Sequence, residues 1–386
     1  MPATHPPLAV YVHIPWCERK CPYCDFNSHA ATGALPEREY VAALLADLDQ
    51  ELAAVAGRSV TSVFIGGGTP SLFGVPALSA LLDGLRARLE MAGDAEITLE
   101  ANPGSSEQQR FAGYRGIGIN RLSLGIQSFN DSSLRALGRV HSAWQGRAAV
   151  DMARAAGFDN LNLDLMHGLP GQTLAQAVED VELAIAADPP HLSYYQLTLE
   201  PNTYFHRYPP PLPDEDSVAA IERYALPRLA QAGYARYEVS AYARPGHRSR
   251  HNLNYWQFGD YLGIGAGAHG KLTLRSRRRI HRYVKQRQPR AYLATASTAS
   301  RVVSQRNLED VDLIEEFLLN ALRLSDGFEV NAFSLATGLP YARIAARVAA
   351  LCGDGLLQTD GVRVAATATG YRFLDDVIAR FDERAA

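Results

Sequence analysis

The chain has 386 residues, 47% of them hydrophobic and 20% charged, with a formal net charge of −3. That composition supplies apolar surface for a large core and a smaller one, and it excludes the one-signed field of a nucleic-acid binder. No apolar run approaches the roughly 20 residues of a membrane span, and MPATHPPLAV lacks the basic and apolar segments of an export signal, so a cytoplasmic protein is expected.

Short β-branched or aromatic runs alternate with amphipathic ones from residue 8 to about 270. Strands are predicted at 8–14, 60–65, 96–101, 120–125, 160–165 and 192–199, with helices at 37–56, 76–91, 106–116, 142–157 and 173–187. The last helix opens with Thr173 three residues before Gln176, a capping box. Strands and helices in alternation imply parallel pairing through right-handed crossovers, so the fold class is α/β. Six such units form an incomplete barrel with its site at the C-terminal strand ends. The Pro-rich YPPPLPDED reads as a loop, and 275–290 concentrates eight Lys/Arg with no acid, most simply a solvated face. From 307 onward the pattern changes to helices at 307–324, 329–337 and 340–352, a hairpin near 355–365 and a helix at 367–384. That order is winged-helix-like, but 7 Arg against 13 Asp/Glu argue against DNA binding. The expected division is 1–300 for the barrel with its extension and 301–386 for the small, mostly helical C-terminal domain.

The most informative stretch is YVHIPWCERKCPYCDF, which places Cys17, Cys21 and Cys24 in a C-x3-C-x2-C spacing. Three thiolates leave one corner of a 4Fe-4S cube open to a small chelating molecule such as S-adenosylmethionine, whereas an electron carrier normally uses four. A structural zinc site, with His13 or His29 as the fourth ligand, and free thiols stand as alternatives. A disulfide framework is disfavoured by four cysteines in 386 residues.

Together with this loop, GGGTPS at 66–71, LEANPG at 99–104, LGIQSF at 124–129 and DLMHGLPGQ at 164–172 resemble the radical S-adenosylmethionine (radical SAM) superfamily, in the branch of oxygen-independent coproporphyrinogen III oxidase. The resemblance implies a radical SAM partial barrel holding a 4Fe-4S cluster on Cys17, Cys21 and Cys24. It also implies an electron donor for that cluster, and S-adenosylmethionine near Gly66, Gly67, Gly68, Thr69, Glu100, Gln127, Arg139 and Asp164. Tyr11 and Tyr23 flank the cluster loop in matching positions, and packing explains them equally well. No catalytic acid or base is assigned.

Two features depart from the oxidases: Phe26 stands where they carry a further cysteine, and the arm before Cys17 is short. Cys352, in ARVAALC, reads as a packing residue. HNLNYW at 251–256 instead resembles the H-N-x-x-Y-W motif of the HemW-like subgroup. That likeness implies a heme chaperone passing heme to acceptors, respiratory heme proteins among them. His251 is the candidate axial ligand, and Arg278 and Arg279 are candidates for the propionates. Coproporphyrinogen III oxidase, or another radical enzyme acting on a tetrapyrrole, is the alternative.

Overall fold

The computed structural model describes residues 5–104, 108–274 and 279–382. Its six N-terminal strands are β1 (Leu8–Ile14), β2 (Ser59–Gly67), β3 (Glu90–Ala101), β4 (Arg121–Gln127), β5 (Leu161–His167) and β6 (His191–Gln196). All neighbours in this series pair parallel. Every residue of β4 is buried, as a parallel strand must be when helices cover one face and the barrel interior the other. The outer helices include Glu37–Asp49, Val75–Arg86, Ala143–Ala155 and Leu174–Ala186. The last two start at capping boxes, Ser142 with Gln145 and Thr173 with Gln176, each satisfying otherwise orphaned backbone donors. The helix Phe111–Gly116 falls within the predicted third helix, whose predicted start at 106 lies outside the described residues.

Six more strands extend the sheet: β7 (Ala235–Arg236), β8 (Ala241–Ala243), β9 (Asp260–Gly265), β10 (His269–Leu274), β11 (Arg279–Lys285) and β12 (Val302–Asn307). Among the described residues the sheet has twelve strands in the order β12-β11-β10-β9-β1-β2-β3-β4-β5-β6-β8-β7, and it does not close. β9 lies parallel to β1, on the side opposite β2; the strands flanking this parallel core pair antiparallel.

Two buried ionic knots fasten the added strands to the barrel. Lys285 Nζ donates to Asp47 at 2.6 Å and Glu51 at 2.7 Å, and Arg301 reaches the same carboxylates at 2.9 and 2.7 Å. Asp260 accepts from Arg58 at 2.9 Å and Lys271 at 3.3 Å. The basic run is therefore not one solvated face. Lys285 is fully buried in a charge cluster, while Arg278 lies outside the described residues.

The C-terminal helices Asp310–Ala321, Val330–Thr337 and Ala342–Gly353 and the hairpin Leu357–Thr359/Arg363–Ala366 follow the predicted order. Phe317, Phe333, Val348 and Val364 centre a second core, and Cys352 packs against its edge. That core also takes in Phe258, from the turn before β9, and Ile280, from β11.

Candidate functional site

The C-terminal ends of β1–β6 surround a cavity of about 390 Å³. Cys17, Cys21 and Cys24 all line it. Their loop is braced by Lys20 Nζ, which donates to the Phe26 and Ser28 carbonyls at 3.2 Å each, and by Ser28 Oγ, 3.6 Å from Cys24 Sγ. Burial pushes the Cys17 and Cys24 thiols above their ordinary pKa.

The glycine run is shaped by contact. A Cβ on Gly68 would stand 2.5 Å from the Trp16 carbonyl and 3.0 Å from Cys17 Sγ. One on Gly66 would stand 2.8 Å from Phe64, and Gly67 has φ +116° with the His13 ring 2.8 Å from where a Cβ would sit. No larger residue fits. The Gly68 and Thr69 N–H groups are consumed by the Ile14 and Trp16 carbonyls, both at 2.7 Å. The loop therefore offers a cation carbonyl oxygens.

The same cavity is lined by two partly buried acids, Glu100 and Asp164. Glu100 accepts from Gly67 N at 3.1 Å, and its pKa is pushed up to about 8 by burial and by nearby Asp164. Burial also raises Asp164, against donation from Asn162 at 2.7 Å and Ser123 at 3.2 Å. Glu100 therefore holds its proton more readily than an ordinary carboxyl until a cation or donor approaches.

Arg139 joins the two ends of the site. Its guanidinium donates to Asn102 Oδ1 at 2.6 Å and the Gly125 carbonyl at 2.8 Å, and lies 3.9 Å from Cys21 Sγ. Asn102 passes the link on to Thr69 Oγ1 at 3.0 Å. Gln127 has φ +66° beside a register shift in the β4–β5 pairing, a strained conformation for a side-chain-bearing residue. Its Oε1 accepts from Tyr195 at 2.8 Å. Tyr23 lines the cavity and packs on a small apolar cluster with Tyr195 and Phe205.

Of the predicted residues, Gly67, Gly68, Thr69, Glu100, Gln127, Arg139, Asp164, Tyr23 and the three cysteines line this cavity. Gly66 sits just behind it, and Tyr11 faces a second cavity. His251 lines neither. It is buried in the barrel, with Nδ1 3.0 Å from Ser62 Oγ, Nε2 3.0 Å from Tyr255 OH and its ring stacked on Phe64 at 5.1 Å. Burial, then Arg121, lowers its pKa to about 3, so the ring is neutral. Sequence reasoning missed Asn102, although it lies inside LEANPG, and Tyr195, whose signal was its place at the end of β6.

Three soft thiols at one wall, with a guanidinium beside them, suit an iron–sulfur cluster. The comparisons agree with the class. The Radical SAM superfamily profile matches residues 11–184, and the HemN C-terminal domain profile matches 308–373. The solved structure of Escherichia coli coproporphyrinogen III oxidase (HemN), a radical SAM enzyme, superposes with a TM-score of 0.83 over 98% of this chain and 91% of its own. At 24% identity, that likeness speaks for the fold.

Relatives named Heme chaperone HemW are 48% identical in Escherichia coli (97% of this chain, 98% of the relative) and 44% in Haemophilus influenzae (97% and 98%). The corresponding Mycobacterium tuberculosis protein is 38% identical (97% and 94%). The chain belongs to the radical SAM superfamily, within the anaerobic coproporphyrinogen III oxidase family and its HemW-like subgroup. Membership implies a 4Fe-4S cluster and S-adenosylmethionine.

Proposed function

We propose that this protein is a heme chaperone, binding heme and handing it to an acceptor protein, with a 4Fe-4S cluster on Cys17, Cys21 and Cys24 and exchangeable S-adenosylmethionine. The observation that carries the reading is 48% identity, over 97% of this chain, to a protein named Heme chaperone HemW. Phe26 supports it: where the oxidases carry a further cysteine, this chain places an apolar ring, 60% exposed on the cavity rim. Four unpaired cysteines fit the reducing cytoplasm.

In this reading each residue has a physical task. Lys20 and Arg139 bring positive charge to a loop whose buried thiols must lose protons to bind iron. The carbonyls of the glycine loop suit the ammonium of the methionine moiety, and Glu100 and Asp164 suit ribose hydroxyls. Gln127 and Tyr195 hold the far wall. When bound and reduced, the cluster supplies single electrons, drawn from an external donor; the chain itself positions the ligand and limits water. Among the described residues no helix is long and apolar enough to cross a membrane, so a membrane-bound acceptor would be met from outside the bilayer.

The test is anaerobic reconstitution, then hemin titration, transfer to an apo respiratory heme protein, and assay for 5′-deoxyadenosine. Heme uptake followed by loading of the acceptor is the expected result. A reconstituted protein that takes up no heme would refute the reading.

A further inference from the structure

A second cavity, of about 510 Å³, opens beside the first and shares Gly67 and Glu100 with it. It lies between β1, the end of the cluster loop and the added strands β9–β11. Its volume falls in the range of a small-molecule or cofactor pocket, about 300–1,000 Å³. Aromatic rings form the walls. Tyr255 and Tyr261 meet edge to face with centroids 4.5 Å apart, Tyr11 faces them from β1, and Phe26 stands at the rim.

The histidines around this cavity differ in one respect. His13 has both nitrogens occupied, by Tyr11 OH at 3.0 Å and the Asn27 carbonyl at 2.9 Å. His251 stands behind Tyr255 with both nitrogens bonded, so Tyr255 is the part of the HNLNYW motif that reaches the cavity. His269, at the start of β10, is exposed at the mouth, and its imidazole makes no hydrogen bond among the described residues. Arg287, on the same rim, is exposed, and its guanidinium forms no ion pair among the described residues.

We infer that this second cavity is the seat of the heme, with His269 as axial ligand, Tyr255 and Tyr261 against the macrocycle and Arg287 on a propionate. The inference rests on the heme-chaperone reading above and names the site that the reading leaves open. An unbonded imidazole is what an iron needs, and an unpaired guanidinium on the same rim matches a carboxylate 'arm'. An open seat beside the S-adenosylmethionine cavity also suits a cargo that must leave.

The test is hemin titration of the anaerobically reconstituted protein, read by its heme absorption band and Kd, for the wild type, His269→Ala, Arg287→Glu and His251→Ala. Cluster absorption checks that each variant is folded. The expected result is a shifted band and at least tenfold weaker binding for His269→Ala, weaker binding with an unshifted band for Arg287→Glu, and a smaller change for His251→Ala. If His269→Ala and Arg287→Glu bind hemin as the wild type does, this seat is wrong while the chaperone reading stands. If only His251→Ala alters the band, the ligand is His251 and the seat is likewise wrong. If the wild type binds no hemin, the chaperone reading falls and the seat with it.

Discussion

Asn102 accepts from Arg139 at 2.6 Å while donating to Thr69 Oγ1 at 3.0 Å, so one amide ties the glycine loop to the arginine beside Cys21. The cysteine wall and the glycine wall of the cavity are thereby a single hydrogen-bonded unit. Removing Asn102 leaves Arg139 held by the Gly125 carbonyl at 2.8 Å.

Asn102→Ala should therefore weaken S-adenosylmethionine binding by about tenfold, the scale of one lost charge-assisted hydrogen bond, while iron content stays near normal. Arg139→Ala should lower both. Iron and sulfide analysis, with the change in the cluster's electron paramagnetic resonance spectrum on adding S-adenosylmethionine, separates the two effects. Equal iron loss in both variants would contradict it.

Gly67→Ala should destabilise the fold by about 3 kcal/mol, from a Cβ driven into the His13 ring on top of the left-handed backbone. Gly171 has φ +66° but open space around it, so Gly171→Ala isolates the backbone cost, about 1 kcal/mol. Thermal unfolding of the two variants provides the comparison.

Lys285→Met should cost about 3 kcal/mol, because it leaves Asp47 and Glu51 buried with Arg301 as their remaining charged partner. Arg279→Glu, on the exposed part of the same basic run, should change stability by less than about 0.5 kcal/mol. Denaturation midpoints check both.

His251 gives a pH prediction. Its folded pKa of about 3 lies below the unfolded value of 6.5, so between these limits the unfolded chain binds one more proton than the folded one. Stability from this group is present above pH 6.5 and is lost as pH falls, at about 1.4 kcal/mol per unit. His13 and His167, both held near about 4 by burial, act in the same direction. Glu100, raised to about 8, acts in the opposite one. His251→Gln should flatten the slope of unfolding free energy between pH 6 and 4.5 by about 1.4 kcal/mol per unit relative to the parent. Identical slopes would show that the ring is already charged in the folded protein.

The absent cysteine at position 26 leads to a functional expectation. The reconstituted protein should decarboxylate coproporphyrinogen III little or not at all, because Phe26 stands where the oxidases carry a further cysteine. Product analysis under anaerobic conditions decides it.

The parallel strands β1–β6 were legible because hydrophobic runs, helix caps and glycine turns are local signals. The thiol loop was legible because ligand spacing is local too. What escaped is non-local. β9, DYLGIG, is short and glycine-rich, and only its pairing with β1 makes it a core strand. Lys285 sat in a run of like charge, while Asp47 and Glu51 lie far back in the first crossover helix and its end. His251 looked available because the sequence showed its motif and not Ser62, which occupies its Nδ1. Asn102 carried no charge or unusual spacing to single it out.

The pairing of β1 with both β2 and β9 has a consequence for synthesis. Leu8 meets Val60 on one side and Asp260 on the other. A ribosome adding about 5–20 residues per second needs roughly 10–40 s to travel from the first of these partners to the second. Throughout that interval the nascent chain carries an apolar strand with a bare hydrogen-bonding edge, the feature that invites pairing with foreign chains. Refolding of the full chain from denaturant should thus be slow and concentration-limited.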